Sequence, residues 1–489
     1  MKDSSQRPRR GNPLRNLWRS KPPRAQAVRV RAFGKRSRGA LTREEIAEEE
    51  GSEASGEVLR VARRLLKSEG MKSNNRNRHQ PSCRFCSADL EHTFVDLGMH
   101  PPCQKHVEPS MLDAPEKFYP LHAFVCHVCF LVQLEEVVPP DEIFHDNYAY
   151  FSSFSESWLR HAEAYSDDMV ARFGFDTSSR VVEIASNDGY LLQNFHRRGI
   201  SVLGIEPSGN VAAAAREKGI RSLEKFFGRE TAKEVRDEYG AADLLLGNNV
   251  LAHVPDLNDF VGGMKILLAE DGVITMEFPH LMRLVEQNQF DTIYHEHYSY
   301  LSFTTVERVF AQHGLVLFDV EELRSHGGSL RIYARHTEST AHPVCPRVDE
   351  LREREAHEGI DSLAYYARFA ERVRETKRAL LEFLIEARRE GKSVVGYGAP
   401  GKGNTLLNYC GIRRDFLDYT VDRSPHKQGN YTPGTRIPIL APERIFETKP
   451  DFVLILPWNL ADEIVQQMSG IREWKGQFVV PIPEVKVIA

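Results

Sequence analysis

Four short apolar runs between residues 181 and 277 each stop abruptly in polar residues, and helix-forming stretches lie between the early ones. Residues 181–185 give way to Ser186, Asn187, Asp188 and Gly189, then to a helical stretch over 190–196. Residues 202–205 end in Glu206 and lead into a helix over 212–218 that Gly219 closes. Residues 243–246 run into Gly247, Asn248 and Asn249, and residues 272–277 form the fourth run. Strand-length runs of this kind are buried on both faces. When they alternate with helices they require a parallel sheet with helices packed on each side. The middle of the chain is therefore expected to be α/β.

The chain has 489 residues, of which 41% are hydrophobic and 27% charged. That is room for several domains and apolar material for their cores. No apolar run approaches the roughly 18–20 residues that span a bilayer, so no membrane contact is expected. Charge is uneven. Residues 1–80 hold 21 Lys and Arg against 9 Asp and Glu, and the remainder carries a net −17. An acidic body argues against nucleic-acid binding, which needs clustered cations. Residues 1–80 are expected to be a disordered basic extension, because a stretch so charged and so poor in apolar residues cannot offset its ordering entropy. Two other readings stand beside this one. A presequence fits poorly, since residues 44–57 turn acidic. A start at Met71, just before the first recognisable domain, would make the extension an artefact.

Seven cysteines are present, and four form two C-x-x-C pairs, Cys83/Cys86 and Cys126/Cys129. A two-residue spacer lets both thiolates of a pair reach one tetrahedral ion, and two such knuckles make a closed four-sulfur zinc site. With no open position, that site is structural. The 39 residues between the pairs require an insertion between the knuckles. A disulfide framework is the weaker alternative.

Ligands of doubly wound sheets lie at the carboxyl ends of the strands. The loop 185–189 is polar and turns sharply. Glu206, at the end of the second strand, can accept hydrogen bonds from both hydroxyls of a ribose. One glycine stands where a dinucleotide fingerprint has three. A ligand with ribose and adenine but no pyrophosphate, such as S-adenosylmethionine, therefore fits better than a dinucleotide. An α/β sheet without a ligand is the alternative.

Residues 290–301 concentrate Tyr294, His295, Glu296, His297, Tyr298 and Tyr300. In an extended segment His295 and His297 share a face and Glu296 points away. A metal pair is one reading. Acid–base work is more economical, because a histidine near neutral pKa can take a proton while a neighbouring Tyr or Glu fixes its tautomer. His253 follows the third strand and projects toward the same end of the sheet. Each histidine taken singly can also be a satisfied structural residue.

Beyond the fourth run, residues 327–333 are expected to form an edge strand of this sheet. A long helix is expected over about 347–390, with Tyr366, Phe369, Val373, Leu380, Leu384 and Ala387 on its buried face. Residues 393–396 then read as a strand entering a Gly-rich loop, 396–403, and a helix, with Asp422 closing the next strand. This mimics a dinucleotide fingerprint, so an NAD-dependent oxidoreductase is the rival enzyme class. A zinc-ribbon adaptor with a basic tail is the non-enzymatic rival.

Taken together, these motifs resemble the three-domain S-adenosylmethionine-dependent C-methyltransferases that act on nucleotide-linked keto-sugars in deoxysugar biosynthesis. The resemblance runs over about residues 81–489. It rests on the two C-x-x-C pairs, on residues 146–150 followed by Ser152 and Ser153, on 183–189, on 249–253, on 294–297 and on 396–404. It implies a zinc-binding domain over 81–150, a Rossmann-like methyltransferase domain over 151–337, and a helical linker with a C-terminal Rossmann-like domain over 338–489. It implies S-adenosylmethionine on Glu183, Ala185, Asn187, Asp188, Gly189, Glu206, Asn248 and Asn249. His297 is the implied base, with Tyr294 and Glu296 positioning it or the sugar, and His253 and Tyr148 bordering the sugar. The C-terminal domain is implied to help hold a nucleotide-linked sugar; on the residues themselves, Lys402 beside the Gly-rich loop suits a diphosphate, and Arg423, His426 and Lys427 are either further phosphate partners or simply solvated loop charges. A cytoplasmic monomer is expected.

Overall fold

The computed structural model describes residues 81–139 and 151–488, organised on three sheets. Residues 1–80, and Tyr148 with the motif around it, lie outside the described residues.

The first sheet is small and antiparallel. Its strands are β1 (His92–His100), β2 (Tyr119–Val125) and β3 (Val132–Leu134), with a fourth contributed by a later segment, Ser299–Tyr300. In β2 the period-two pattern is plain, since Leu121, Ala123 and Val125 are buried while the residues between them are not. The expected insertion between the two cysteine pairs is thus the β1–β2 hairpin and its long connection.

The central sheet holds β4 (Arg180–Ile184), β5 (Ser201–Ile205), β6 (Ser222–Leu223), β7 (Ala242–Asn248), β8 (Leu268–Pro279), β10 (Leu315–Leu323) and β11 (Ser329–His336). The shared segment Ser299–Tyr300 is β9. The spatial order is β10-β11-β8-β7-β4-β5-β6. Strands β4 to β8 pair in parallel, and β11 runs antiparallel to both β8 and β10. The chain leaves β4 toward β5 on one side and returns to β7 on the other. The loops after β4 and β7 therefore diverge and open a crevice at the strands' carboxyl ends.

Two expectations needed correction. Residues 329–336 do not form an edge. β11 inserts between β8 and β10, and β10 is the edge strand, because residues 329–334 of β11 are all buried (Leu330, Ile332 and Ala334 are 0% exposed) and need cover from both neighbours. The long helix over 347–390 is three helices, Pro346–Glu358, Leu363–Tyr366 and Phe369–Arg389. Gly359 takes φ +82° and ends the first, and the Ser362 side chain accepts from Ala364 N to start the second. The six apolar positions named from periodicity are buried all the same.

The third sheet orders β14 (Ile439–Leu440), β13 (Thr420–Val421), β12 (Val394–Tyr397), β15 (Phe452–Ile455), β16 (Gln477–Val480) and β17 (Lys486–Ile488), parallel except for β17. The Gly-rich loop joins β12 to helix Gly401–Cys410.

The cysteine-bearing module is wedged between the other two sheets. Val107 and Tyr431 exchange backbone hydrogen bonds of 2.9 and 2.8 Å. Glu116 accepts from Gly434 N at 2.7 Å and from Arg436 Nε at 2.9 Å. On the other side Arg84 donates to Pro255 O at 2.6 Å, and Asn258 Nδ2 to Phe85 O at 2.9 Å. Among the described residues no helix is long and apolar enough to cross a membrane.

Candidate active site

The two cysteine knuckles have the same local geometry. Ser87 N donates to Cys83 O at 2.9 Å, and Phe130 N to Cys126 O at 3.0 Å. Both Ser87 and Phe130 take φ +62°, the left-handed turn that folds each pair of sulfurs to one side. The four Sγ atoms lie within 4.8 Å of one another, with Cys83–Cys129 and Cys86–Cys126 each 3.5 Å apart. Those distances exceed a ~2.05 Å disulfide and bracket the ~3.8 Å edge of a tetrahedron with Zn–S near 2.3 Å. Gln133 Nε2 donates to Cys83 Sγ at 3.2 Å, and Val128 N to Cys126 Sγ at 3.4 Å, bonds that favour thiolates. The donor set fits structural zinc. Cys103 is buried and stands apart from it, with Sγ 3.6 Å from Glu296 Oε1.

A cavity of about 610 Å³ opens over the carboxyl ends of β4, β5 and β7. Its wall draws on all three sheets' domains, with Gln104 from the cysteine module and Lys402 from the C-terminal domain. Of the residues expected to hold the cofactor, Ala185, Asn187, Glu206, Asn248 and Asn249 line it. Ala185, Asn187 and Gly189 take φ +56°, +48° and +75°, so this loop turns as a glycine-rich one would. Adopting that conformation costs ~1 kcal/mol for a residue with a Cβ. Glu206 accepts from Asn187 N at 3.0 Å and Ser208 N at 2.9 Å, which leaves a further lone pair on each oxygen. Burial pushes its pKa up. Asn248 Nδ2 and Asn249 Oδ1 are buried without a partner among the described residues. Volume, donors and acceptors fit an adenosine-type ligand. Glu183, Asp188 and Gly189 are not part of the wall. Glu183 is fully buried beneath the loop, Asp188 pairs with Lys218 Nζ at 3.1 Å, and Gly189 packs against Ile220.

The polar cluster is not extended. A 3-10 turn at Phe290–Thr292 precedes it, and His297 N closes a further turn onto Tyr294 O at 2.8 Å. The condition under which His295 and His297 would share a face is therefore not met. His295 Nε2 contacts Pro120 O at 3.1 Å, away from the cavity. His297, Tyr294, Glu296 and His253 line it. His297 Nδ1 lies 2.9 Å from Thr292 O. A carbonyl only accepts, so Nδ1 carries the proton and Nε2 the lone pair. The His297 ring is 4.0 Å from Tyr294 and 4.6 Å from His253 between centroids. Burial lowers the His297 pKa well below the usual value, assisted by His253, and lowers His253 to about 4. Both rings are neutral near pH 7. Burial raises the Glu296 carboxyl to about 7.

His326 was missed in the sequence. It lines the same cavity, and its Nε2 lies 2.8 Å from Asn249 Nδ2. It comes from a turn between β10 and β11 at φ +53°, for which only an isolated histidine beside two glycines gives a signal.

The dinucleotide-like loop is already occupied by protein. A Cβ on Gly401 would stand 2.9 Å from Cys103 Sγ and 3.2 Å from Gln104 Nε2, where a pyrophosphate would have to approach. Asn404 Nδ2 donates to Cys103 O at 2.7 Å. Asp422, the acid expected on a ribose, accepts from Ala399 N at 2.8 Å. Lys427 Nζ is spent on Ala399 O at 3.1 Å, and the His426 ring stacks beside Phe154 at 5.9 Å between centroids.

Fold, cavity and cysteine centre together define a class I S-adenosylmethionine-dependent methyltransferase with structural zinc. Residues 83–144 match the model of a zinc binding domain, 158–320 a methyltransferase domain, and 324–483 the C-methyltransferase C-terminal domain. The C-methyltransferase NovU of Streptomyces niveus is 37% identical over 410 residues, which covers 83% of this chain and 96% of NovU. A ubiquinone biosynthesis O-methyltransferase of Rhodopseudomonas palustris is 30% identical over 97 residues, 20% of this chain and 38% of that one. Among solved structures, an S-adenosylmethionine-dependent methyltransferase from Anabaena variabilis aligns with a TM-score of 0.31 and 12% identity, over 42% of this chain and 99% of that one. The chain belongs to the C-methyltransferase family that includes NovU.

Proposed function

We propose that this C-methyltransferase acts on a nucleotide-linked keto-deoxysugar, with His297 as the base. The observation that carries this reading is the fixed tautomer of His297, whose Nδ1–H is tied to Thr292 O in the cavity wall beside Tyr294 and His253. A carbon next to a ketone is a poor nucleophile until it loses a proton. His297 Nε2 takes that proton. The C–H electron pair becomes a C=C bond, and the carbonyl π pair moves to oxygen. S-adenosylmethionine supplies an electrophilic methyl group, whose sulfur leaves with the C–S pair. The enolate carbon bonds to that methyl, the carbonyl re-forms, and His297 releases its proton to solvent.

Ala185, Asn187, Glu206, Asn248 and Asn249 hold the cofactor, while Glu183, Asp188 and Gly189 shape the loop from below. Tyr294 and Glu296 orient His297 and the sugar, and His253 borders the sugar. The zinc module and the C-terminal domain close the acceptor side of the cavity through Gln104 and Lys402.

The test is incubation with S-adenosylmethionine and a panel of nucleoside-diphospho-keto-deoxysugars, with the product's methyl position read by NMR. Methylation on carbon beside the ketone is expected. His297→Asn, which retains a donor for Thr292 O, should lose about 10²–10⁴-fold in turnover and keep its affinity for S-adenosylhomocysteine. A methyl group on oxygen, or normal turnover in that variant, would overturn the assignment.

A further inference from the structure

The Gly-rich loop of the C-terminal domain delivers one side chain to the cavity that neither the cofactor nor the base accounts for. Lys402 stands in the first turn of helix Gly401–Cys410 and shares the wall with Tyr294, His297 and His326. Its Nζ donates to Asn459 Oδ1 at 2.9 Å and lies 4.8 Å from the centre of the Trp458 ring. Trp458 Nε1 donates in turn to the buried Asp291 Oδ2 at 2.8 Å. The bonded partner of the ammonium is thus a neutral amide, and the carboxylate is one residue removed.

Holding a cation this way is costly. Burial lowers the Lys402 pKa, and Asp291 only partly offsets this. The preceding residue, Gly401, packs closely on Cys103 and Gln104, which a Cβ at 401 would push apart. A preorganised, poorly solvated cation stabilises negative charge that develops next to it far more than it would in water. In this cavity the neighbouring rings are held neutral: burial keeps His253 and His326 at about 4, and His297 well below its usual value. The other lysine of the wall, Lys225, stands beside Phe226 and Phe227 near the end of β6 and is ion-paired with Glu234.

We propose that Lys402 is a catalytic residue whose ammonium donates a hydrogen bond to the acceptor's keto oxygen and stabilises it as an enolate oxygen. This rests on the reading of the acceptor as a ketone. Charge balances within the step. His297 Nε2 gains the carbon-bound proton, the oxygen gains the carbonyl π pair, and Lys402 keeps all its protons throughout. The helix N-terminus beneath Lys402 contributes in the same sense. The C-terminal domain is then part of the reaction centre as well as a grip on the acceptor.

The test separates enolate formation from methyl transfer. Exchange of the proton on the carbon beside the ketone is followed in deuterium oxide without S-adenosylmethionine. The probes are thymidine- and uridine-diphospho-4-keto-6-deoxyhexoses, with the full chain as wild type, Lys402→Met, Lys402→Gln and Lys402→Arg. Lys402→Met should slow exchange and methyl transfer alike, by about 10²–10³-fold. The KM should stay within a few-fold, and zinc content and S-adenosylhomocysteine affinity should be unchanged. Lys402→Gln keeps the packing and a donor but loses the charge, and should be nearly as slow. Lys402→Arg should recover part of the exchange. Exchange at the wild-type rate in the Met and Gln variants overturns the proposal. So does a loss carried wholly by KM, which would make Lys402 a phosphate contact. A wild type that neither exchanges nor methylates the probes refutes the ketone reading itself, and the role of Lys402 falls with it.

Discussion

Glu355 offers a sharp test of how the site is supported, because its side chain is fully buried and the donors it satisfies can be counted. It projects from helix Pro346–Glu358 onto the start of helix Phe303–Gln312, six residues past His297. Oε1 accepts from His280 Nε2 at 2.7 Å and from Phe303 N at 2.7 Å. Oε2 accepts from Thr304 N at 2.8 Å and from Thr304 Oγ1 at 2.6 Å. Glu355→Ala strands two backbone N–H groups and an imidazole, while the threonine hydroxyl can turn elsewhere. At about 1–3 kcal/mol for each buried unpaired group, and allowing that relaxation recovers part, the loss should be about 3–5 kcal/mol, the range for breaking a buried charged pair. For a domain of this size that lowers Tm by roughly 6 °C or more. The folded-state pKa of Glu355 is depressed: burial raises it, but the hydrogen bond and charge of His280 and the bonds from Thr304 together outweigh burial. The stability it provides is therefore present above the unfolded-state pKa near ~4.3 and lost as pH falls through the lower folded value. Thermal unfolding of wild type and variant at pH 7 and in acid measures both effects. A deficit under ~1 kcal/mol at pH 7, or one that does not shrink in acid, would refute this account of the carboxylate.

Two further predictions concern the zinc centre and the base. One zinc per chain should be found by elemental analysis. Chelation, or Cys126→Ser, should lower Tm and abolish methyl transfer together, because the module that carries Gln104 and seats Gly401 loses its cross-link. Full activity in metal-free protein would contradict this. The acid limb of kcat/KM should lie below pH 6.5, because burial lowers the His297 pKa and the neutral imidazole is lost only as pH falls through that lowered value. A limb near pH 7 that Glu296→Gln removes would transfer the base to Glu296, whose carboxyl burial raises to about 7.

Much of this molecule was legible in the residues. The C-x-x-C pairs define their own ligand set, because the spacing is local and four sulfurs suffice for one ion. The strand–polar-loop rhythm from 181 to 277 placed the crevice and Glu206, because a parallel sheet must present its ligands at the carboxyl ends of its strands. His297 was reached only through a family resemblance. Spacing could not prefer it over His295, since the choice depends on a turn that sends one ring to Pro120 and the other to Thr292.

Tertiary structure decided what local pattern could not. Ala185 and Asn187 of the motif line the cavity while Asp188 pairs with Lys218, because a motif records which residues build a turn and not which side chains face the cavity. β11 became an inner strand because pairing partners are set by sheet order, which has no local signature. The Gly-rich loop at 396–403 reads as a dinucleotide site until Cys103 and Gln104, some 300 residues earlier in the chain, are seen packed into it. His326, Gln104 and Lys402 meet His297 across three domains. Sequence determined the two cysteine knuckles and the strand–loop units of the central sheet, since each unit depends on neighbours within a few residues. Packing between distant segments determined which side chains share one cavity wall, because no local pattern records which distant parts of the chain meet.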